Sequence, residues 1–305
     1  MQMKHIIESQ QFDKKNIDKI FALAGALEKK SDNSLKGKIM ASLFYEPSTR
    51  TRLSFESAMQ KLGGSVITTE NAKEFSSAIK GETLEDSIKV ISNYADVIVL
   101  RHYEQGSSLR ASMVSEVPVI NAGDGIGQHP TQALLDLYTI KKELGKVEGV
   151  TIALVGDLKH GRTIRSLAYL LGKYTNITIY FVSPKELRVD TDIKAYLEKH
   201  NVTYYETEDL ESTVGIIDVL YQTRIQKERF VSEEAYLRFK GCYKVDTNLE
   251  SKMKKGSIIM HPLPRVDEID VKIDNSPKAA YFKQAKYGLY IRMALLKTIF
   301  SKNTM

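Results

Sequence analysis

The chain is poor in cysteine and has no long apolar run. Its 305 residues include one cysteine, Cys242, which excludes an internal disulfide and any metal cage built from several cysteines. No apolar run approaches the ~18–20 residues that a membrane-spanning helix needs. The polar stretch Met1–Lys15 has no hydrophobic signal core. We therefore expect a cytoplasmic chain with no membrane partner.

The chain also lacks a concentrated positive segment. Its formal net charge of +6 suits acidic ligands. However, the lysines and arginines are spread among acidic residues, with no basic run and no interleaved aromatic residues. We therefore predict that the chain binds no nucleic acid and that its ligands are small anions.

Several motifs of other enzyme classes are missing. The sequence contains no nucleophile elbow, no HExxH metal spacing and no dinucleotide-binding glycine fingerprint. The residues that follow predicted strands are instead mostly cations and hydrogen-bond donors. Such a site binds anions and stabilises negative charge. We therefore expect no metal, no cofactor and no covalent intermediate.

Short apolar segments alternate with amphipathic ones along the chain. The run Ile39–Phe44 is typical of a buried strand, and the apolar spacing in Arg52–Leu62 is typical of a helix. This alternation predicts an α/β fold, with two doubly wound parallel-sheet domains joined by long helices. The predicted strands are Ile39–Phe44, Ser65–Thr69, Asp96–Leu100, Pro118–Asn121, Thr151–Val155, Ile177–Val182, Val202–Tyr205, Val219–Gln222, Tyr243–Val245 and Ile258–Met260.

A long connecting helix separates the two predicted domains. The stretch His129–Leu144 carries a helical apolar stripe and is followed by Gly145, a common helix stop. We predict one domain over 1–145, with the C-terminal helix 286–305 packing back on it, and a second domain over 146–285. The other predicted helices of the first domain are Asp13–Lys29, Arg52–Leu62, Thr83–Tyr94 and Gly106–Glu116.

The segment Ser48-Thr49-Arg50-Thr51 is the most informative motif. It lies between a predicted strand and a predicted helix, where free backbone N–H groups and the helix dipole favour a bound anion. Its hydroxyls and guanidinium suit a tetrahedral oxyanion. An ordinary N-cap followed by a solvated basic turn is the alternative.

Two further polar clusters follow predicted strands of the first domain. Arg101 directly follows Val97–Leu100, and a side chain that simply reaches solvent is the alternative there. His129 and Gln132 follow a glycine-rich loop and share one helix face. A histidine can donate to a developing oxyanion, and a glutamine can bind an amide. A polar helix cap is the alternative for that pair.

The second domain has three such clusters. Gly156–Thr163 nearly matches the phosphate-binding loop of nucleotide hydrolases, but Arg162 replaces its lysine. We therefore interpret Arg162 as a carboxylate receptor, with a P-loop NTPase as the alternative. Tyr221–Arg229 follows another short strand. His261–Arg265 contains two prolines, which fix a turn and expose carbonyls that can accept from an NH2 group.

Together these clusters resemble the aspartate and ornithine carbamoyltransferase family, over essentially the whole chain. The most specific features are Ser48–Thr51 with its flanking Arg52, and His129–Gln132. His261-Pro262-Leu263-Pro264 stands where ornithine enzymes carry His-Cys-Leu-Pro, and their Ser-Met-Gly motif is missing. The resemblance is therefore to the catalytic chains of the aspartate branch. It implies carbamoyl transfer from carbamoyl phosphate to L-aspartate, the entry into pyrimidine synthesis.

The resemblance implies a role for each matching residue. Domain 1–145 would bind carbamoyl phosphate and domain 146–285 would bind aspartate. Arg50, Thr51, Arg101 and His129 would be catalytic, and His160 receives no role because many relatives carry tyrosine there. The carbamoyl phosphate contacts would be Ser48, Thr49, Arg50, Thr51, Arg101, His129, Gln132 and the carbonyls of Leu263 and Pro264; the aspartate contacts would be Lys80, Arg162, Arg224 and Gln226.

The resemblance also implies an assembly. Ser76 and Lys80 match loop residues that enter the neighbouring subunit's site, so a homotrimer with shared active sites is expected. A zinc-containing regulatory chain is a further partner in some relatives, and any zinc would belong to that chain. A carbamoyltransferase with ornithine or an acetylated relative as acceptor and a non-catalytic phosphate-binding module are the remaining alternatives.

Overall fold

The computed structural model describes residues 4–30, 32–72, 80–227 and 230–301. The chain forms two compact units. One unit runs up to Leu135 and resumes at Lys286, and the other is the continuous stretch Asp136–Ala285. The two longest helices of the described chain, Pro130–Leu144 and Tyr281–Phe300, each contribute residues to both units. None of the described helices combines the length and apolar character needed to cross a membrane.

The first unit is built on a parallel four-stranded sheet with the order β2-β1-β3-β4. All residues of β3 and β4 are buried, as are five of the six in β1. Strands buried on both faces are characteristic of parallel sheets covered by helices. The strands are β1 (Ile39–Phe44), β2 (Ser65–Glu70), β3 (Val97–His102) and β4 (Val119–Asp124), and the helices are α1 (Lys14–Leu27), α2 (Thr49–Lys61), α3 (Leu84–Ser92), α4 (Ser107–Val114) and the beginning of α5 (Pro130–Leu144).

The second unit is built on a parallel five-stranded sheet with the order β7-β6-β5-β8-β9. Its strands are β5 (Thr151–Val155), β6 (Thr178–Val182), β7 (Thr203–Thr207), β8 (Val219–Gln222) and β9 (Ile258–Met260). Its helices are α6 (Arg162–Leu171), α7 (Thr191–Lys199), α8 (Glu233–Leu237) and α9 (Thr247–Lys252), and α10 (Tyr281–Phe300) begins in this unit.

Each sheet has one point at which the order of the strands reverses. In the first sheet the reversal lies between β1 and β3, and in the second it lies between β5 and β8. The loops that leave the carboxyl ends of two such strands diverge and leave a crevice, which is where ligands bind in open α/β sheets. The two reversals therefore define where a site is expected in each unit.

The predicted fold class is confirmed by these two parallel sheets. The predicted strand Tyr243–Val245 is wrong, because only Val245 forms an isolated bridge, to Ile269. The Tyr243 hydroxyl instead donates to the Glu208 carbonyl at 3.1 Å. The helix predicted from Arg52 begins three residues earlier, at Thr49. Its first turn therefore contains the hydroxyl and guanidinium groups of the motif.

Candidate active site

The turn after β1 places Ser48 at the N-cap of α2. The Arg52 N–H donates to the Ser48 carbonyl at 3.0 Å, which closes the first helical turn. The Ser48 side chain makes no capping hydrogen bond. The first-turn N–H groups of α2 therefore remain available to an anion, supported by the helix dipole.

The two arginines of this motif differ in their surroundings. Arg52 forms an ion pair with Glu70, with Nη2 and Oε2 at 2.8 Å. Arg50 has no carboxylate partner among the described residues. Partial burial lowers the pKa of the Arg50 guanidinium, which still carries its charge at neutral pH. Arg52 thus has a structural partner, whereas the charge of Arg50 is available to a ligand.

Arg101 ends β3 beside this turn. Its side chain is buried, its Nη1 donates to the Ala122 carbonyl at 3.3 Å, and its Nη2 lies 3.4 Å from Oε2 of Glu46. The Tyr45 N–H donates to the Arg101 carbonyl at 2.9 Å. The ends of β1 and β3 are therefore hydrogen-bonded together at the strand-order reversal. This brings Arg101 to the same edge of the sheet as Ser48.

His129 immediately precedes α5 and Gln132 lies in its first turn, at the same edge of the sheet. The Gln132 and Ala133 N–H groups donate to the His129 carbonyl at 3.0 and 3.1 Å. Both the His129 and the Gln132 side chains are buried, and His129 Nδ1 lies 3.4 Å from the Thr131 hydroxyl. These two side chains are thus held by the first turn of a helix.

Asp124 is a site-building residue that sequence reasoning missed. Its Oδ1 accepts from the Gln128 N–H at 2.8 Å, and its Oδ2 accepts from the Gly106 N–H at 3.1 Å. These bonds fix the loop between β4 and α5, which positions His129. The available signal was an acidic residue between two glycines, but its partners could not be read from the pattern.

The predicted loop residues have different outcomes. Ser76 lies outside the described residues, and Lys80 is described and exposed. Exposure suits a cation that reaches a ligand away from its own loop.

In the second unit, His160 links two predicted clusters. Its N–H donates to Oδ1 of the fully buried Asp157 at 3.0 Å, and its Nδ1 lies 3.1 Å from the same oxygen. Its carbonyl accepts from the Arg162 N–H at 3.1 Å and from Gln226 Nε2 at 3.3 Å. His160 therefore joins the turn after β5 to the segment after β8.

Gly156 brings these same two segments close together. Its φ is +116°, and a Cβ built there would lie 2.6 Å from both the carbonyl oxygen and the hydroxyl of Thr223. Only a residue without a side chain fits this backbone and this contact.

Gly156→Ala is expected to lower the free energy of unfolding by about 3 kcal/mol, from backbone strain and overpacking combined. Gly256→Ala is the matched control, because Gly256 has φ +80° with nothing within 4 Å of an added Cβ. It should lose only about 1 kcal/mol. Urea unfolding followed by circular dichroism measures both values. Equal losses would contradict a special role for the contact with Thr223.

Arg224 and Gln226 follow β8 across the strand-order reversal from Gly156. Both side chains are partly buried. Arg224 lines a recess in this unit together with Gln222, Tyr236, Lys240 and Glu268. Arg162 begins α6 on the other side of the reversal and is also partly buried. Two guanidinium groups are thus carried by the two loops expected to form the crevice.

The third cluster follows β9. His261 is buried, whereas Leu263 is partly buried and Pro264 is exposed. Arg265 donates to Asp274 through both terminal guanidinium nitrogens, with Nη2 at 2.6 Å from Oδ2. The exit of this turn is therefore held by a bidentate ion pair.

Comparison with known proteins decides the family. The carbamoyl-phosphate binding domain of aspartate/ornithine carbamoyltransferases matches residues 4–142, and the aspartate/ornithine binding domain of the same enzymes matches residues 148–299. The chain belongs to the aspartate/ornithine carbamoyltransferase family. The resemblance that the motifs suggested is thereby confirmed over nearly the whole chain.

Similar members of this family come from distant organisms. Aspartate carbamoyltransferase 3 of Pisum sativum, a chloroplastic protein, is 56% identical, over 98% of this chain and 78% of its own length. The catalytic subunit of the Methanocaldococcus jannaschii enzyme is 53% identical, over 99% of both chains. The Trypanosoma cruzi enzyme, solved with carbamoyl phosphate and aspartate, has a TM-score of 0.93 at 42% identity, and the match covers 98% of this chain and 97% of that chain.

Proposed function

We propose that the chain transfers the carbamoyl group of carbamoyl phosphate to the amine of L-aspartate. The products are N-carbamoyl-L-aspartate and phosphate, which places the reaction at the entry to pyrimidine synthesis. The observation that carries the proposal is that both strand-order reversals, in a chain of this family, are flanked by cations and hydrogen-bond donors. Both substrates are anions, and each unit supplies most of the groups that one of them requires.

The first unit supplies the phosphate contacts. Ser48, Thr49 and Thr51 contribute hydroxyls and first-turn N–H groups, and Arg50 contributes its guanidinium. The absence of a carboxylate beside Arg50 among the described residues supports this role. A tetrahedral dianion at the start of a helix is a favourable arrangement.

The carbonyl oxygen of the carbamoyl group is bound by Thr51, Arg101 and His129. All three side chains are buried, so their hydrogen bonds act at low dielectric. Gln132 and the carbonyls of Leu263 and Pro264 hold the carbamoyl NH2. These groups distinguish an amide from a carboxylate, because a carbonyl oxygen needs a hydrogen-bond donor, which an NH2 group offers and an ionised carboxylate does not.

Arg162, Arg224 and Gln226 bind the carboxylates of aspartate. Two guanidinium groups match two carboxylates, which favours a dicarboxylic acceptor over ornithine. Lys80 of a neighbouring subunit completes this half of the site together with Ser76.

The reaction is an oxyanion-stabilised transfer without a covalent intermediate. The neutral amine of aspartate attacks the carbonyl carbon, and negative charge develops on the carbonyl oxygen. The C–O bond to phosphate then breaks, and the departing phosphate takes the amine proton. Preorganised donors stabilise both negative charges, and each such donor is commonly worth ~3–4 kcal/mol in the barrier.

A carbamoyl-transfer assay tests the proposal. The purified chain is given carbamoyl phosphate with L-aspartate or L-ornithine, without ATP or metal, and carbamoyl product is measured. We expect turnover with aspartate alone. Turnover with ornithine would overturn the acceptor, and binding of ATP with magnesium would revive the P-loop alternative. A folded chain that binds carbamoyl phosphate without turnover would support a binding module.

His160 is expected to affect aspartate without affecting carbamoyl phosphate. In His160→Phe the side-chain bond to Asp157 is lost and only the backbone N–H bond to Asp157 remains, so the His160 carbonyl holds Gln226 less firmly. We expect the KM for aspartate to rise about tenfold, equivalent to ~1.4 kcal/mol, with the KM for carbamoyl phosphate unchanged. Steady-state kinetics in both substrates measures this.

His160→Asn is the matched control for that experiment. The asparagine amide nitrogen can replace Nδ1 as the donor to Asp157, so this variant should stay within about threefold of the parent. An equal rise in both KM values, in either variant, would show that His160 supports the fold generally and does not position the aspartate half.

We also propose that the active unit is a cytoplasmic homotrimer in which subunits share active sites. The exposed position of Lys80 supports the sharing, and the single cysteine is compatible with a reducing compartment. Light scattering measures the mass. Mixing inactive Lys80→Ala and Arg101→Met chains, followed by dissociation and reassembly, should restore activity, since some sites then receive neither change. No recovery in reassembled trimers would argue against shared sites.

A further inference from the structure

The imidazole of His261 makes two hydrogen bonds with fixed polarity. Its Nδ1 accepts from the Leu263 N–H at 2.8 Å, and its Nε2 lies 2.7 Å from Oε1 of Glu268. Because Nδ1 is an acceptor, the proton resides on Nε2 and is donated to the carboxylate. Both His261 and Glu268 are buried, so this pair is largely shielded from solvent.

Glu268 is held as an anion by its neighbours. Its Oε2 accepts from the Val266 and Asp267 N–H groups at 3.0 and 3.1 Å. Burial acts to raise the pKa of Glu268, but the hydrogen bonds from His261 and from the Val266 N–H outweigh it and lower the pKa. A carboxylate that only accepts requires a donor at Nε2 of His261.

The main chain of His261 is fixed independently of its ring. Its N–H donates to Oε1 of Gln284 at 3.0 Å, and Gln284 Nε2 donates to Oδ1 of Asp136 at 2.6 Å. The Tyr221 hydroxyl donates to the other Asp136 oxygen at 2.7 Å. All four side chains of this series are buried. The ring is therefore attached to a main chain that is held in place, and it contacts the turn that follows it.

We infer that His261 is a positioning residue that orients the Leu263 main chain toward the carbamoyl NH2. Leu263 has φ +54°, which a residue with a side chain rarely adopts, and the bond from its N–H to His261 Nδ1 helps to hold it there. The direction of the Leu263 carbonyl depends on that angle. The inference rests on the proposed function, in which this carbonyl and that of Pro264 accept from the substrate amide.

Two substitutions separate the two sides of the ring. In His261→Asn the amide oxygen can stand near Nδ1 and keep the Leu263 bond, whereas in His261→Gln the longer amide can stand near Nε2 and keep the Glu268 bond. The probes are phosphonoacetamide, which carries both an amide and a phosphonate, and inorganic phosphate. Titration calorimetry gives the Kd of each probe without requiring turnover.

We expect His261→Gln to weaken phosphonoacetamide about tenfold and His261→Asn about threefold or less, with phosphate unchanged in both. The opposite ranking, or equal weakening of both probes, would overturn the inference, because a purely structural ring should be replaced best by the variant that keeps the buried carboxylate contact. Circular dichroism and thermal unfolding check that each variant is folded.

Glu268→Gln provides the same test if the His261 variants do not fold. Whichever way the new amide is turned, its NH2 group faces either the His261 Nε2–H or the backbone N–H groups that Glu268 accepts from. Two donors then face each other, so the arrangement that orients Leu263 is disturbed. Selective loss of phosphonoacetamide affinity would support the inference, and unchanged affinity for both probes would overturn it. If the parent chain binds neither probe, the proposed function itself fails, which is a distinct result.

Discussion

Replacing Arg101 with methionine is expected to lower kcat about 100- to 1,000-fold. In the proposed reaction the Arg101 guanidinium donates to the oxygen on which negative charge develops. The side chain is buried and already oriented by the Ala122 carbonyl, so it does not have to reorganise during the reaction. Because the interaction strengthens in the transition state, the loss should fall on kcat more than on substrate binding.

Two further variants make this result specific. Arg101→Lys keeps a charge but loses the planar fork that reaches two acceptors, so it should recover only part of the rate. Arg110→Met is the matched control, since Arg110 pairs with Glu85 and Glu104 on the surface and should leave kcat near the parent value. A loss in Arg101→Met confined to KM would contradict an oxyanion role. Steady-state kinetics with both substrates measures these values.

Replacing Arg224 with glutamine is expected to lower kcat/KM for aspartate about 100-fold. A charge-assisted hydrogen bond to a carboxylate is worth about 1.5–3 kcal/mol, and losing it should weaken aspartate while carbamoyl phosphate still binds. Initial rates over a range of aspartate concentrations, at saturating carbamoyl phosphate, measure the effect.

Arg238→Gln is the matched control for Arg224. Arg238 is exposed in the same unit and forms no ion pair with a described residue, so its replacement should change neither substrate. If Arg224→Gln weakened phosphate binding to the same extent as aspartate, Arg224 would belong to the other half of the reaction. A gain of turnover with ornithine would show that this arginine also excludes cationic acceptors.

The two parallel sheets could be predicted because strand burial leaves a local pattern. Five of the six residues in Ile39–Phe44 are apolar, and the structure has a strand there with the predicted bounds. Tyr243–Val245 has apolar residues only on either side of Lys244, and in the structure it forms only an isolated bridge. A run that short does not distinguish a strand from an extended loop, because pairing partners decide the outcome.

The candidate site could be predicted in part, for a similar reason. Cations and hydroxyls that follow strands are visible in the sequence, and parallel sheets bring such residues to one edge. The groups that orient them are not visible in this way. Asp136 and Gln284 are 148 residues apart, yet their side chains are hydrogen-bonded, and neither belongs to a recognisable motif. Contacts of this kind follow from the tertiary fold and not from spacing along the chain.

The continuity of the second unit has a consequence for how specificity can change. Asp136–Ala285 is one uninterrupted segment, whereas the first unit is formed from two separate stretches of chain. Recombination at two positions is therefore enough to exchange the whole second unit and keep the first. Both crossover points fall within helices, α5 and α10, so a viable chimaera must preserve helical phase at each junction. Under the proposed function, a change of the amino acid that accepts the carbamoyl group requires the exchange of only one continuous segment of the chain.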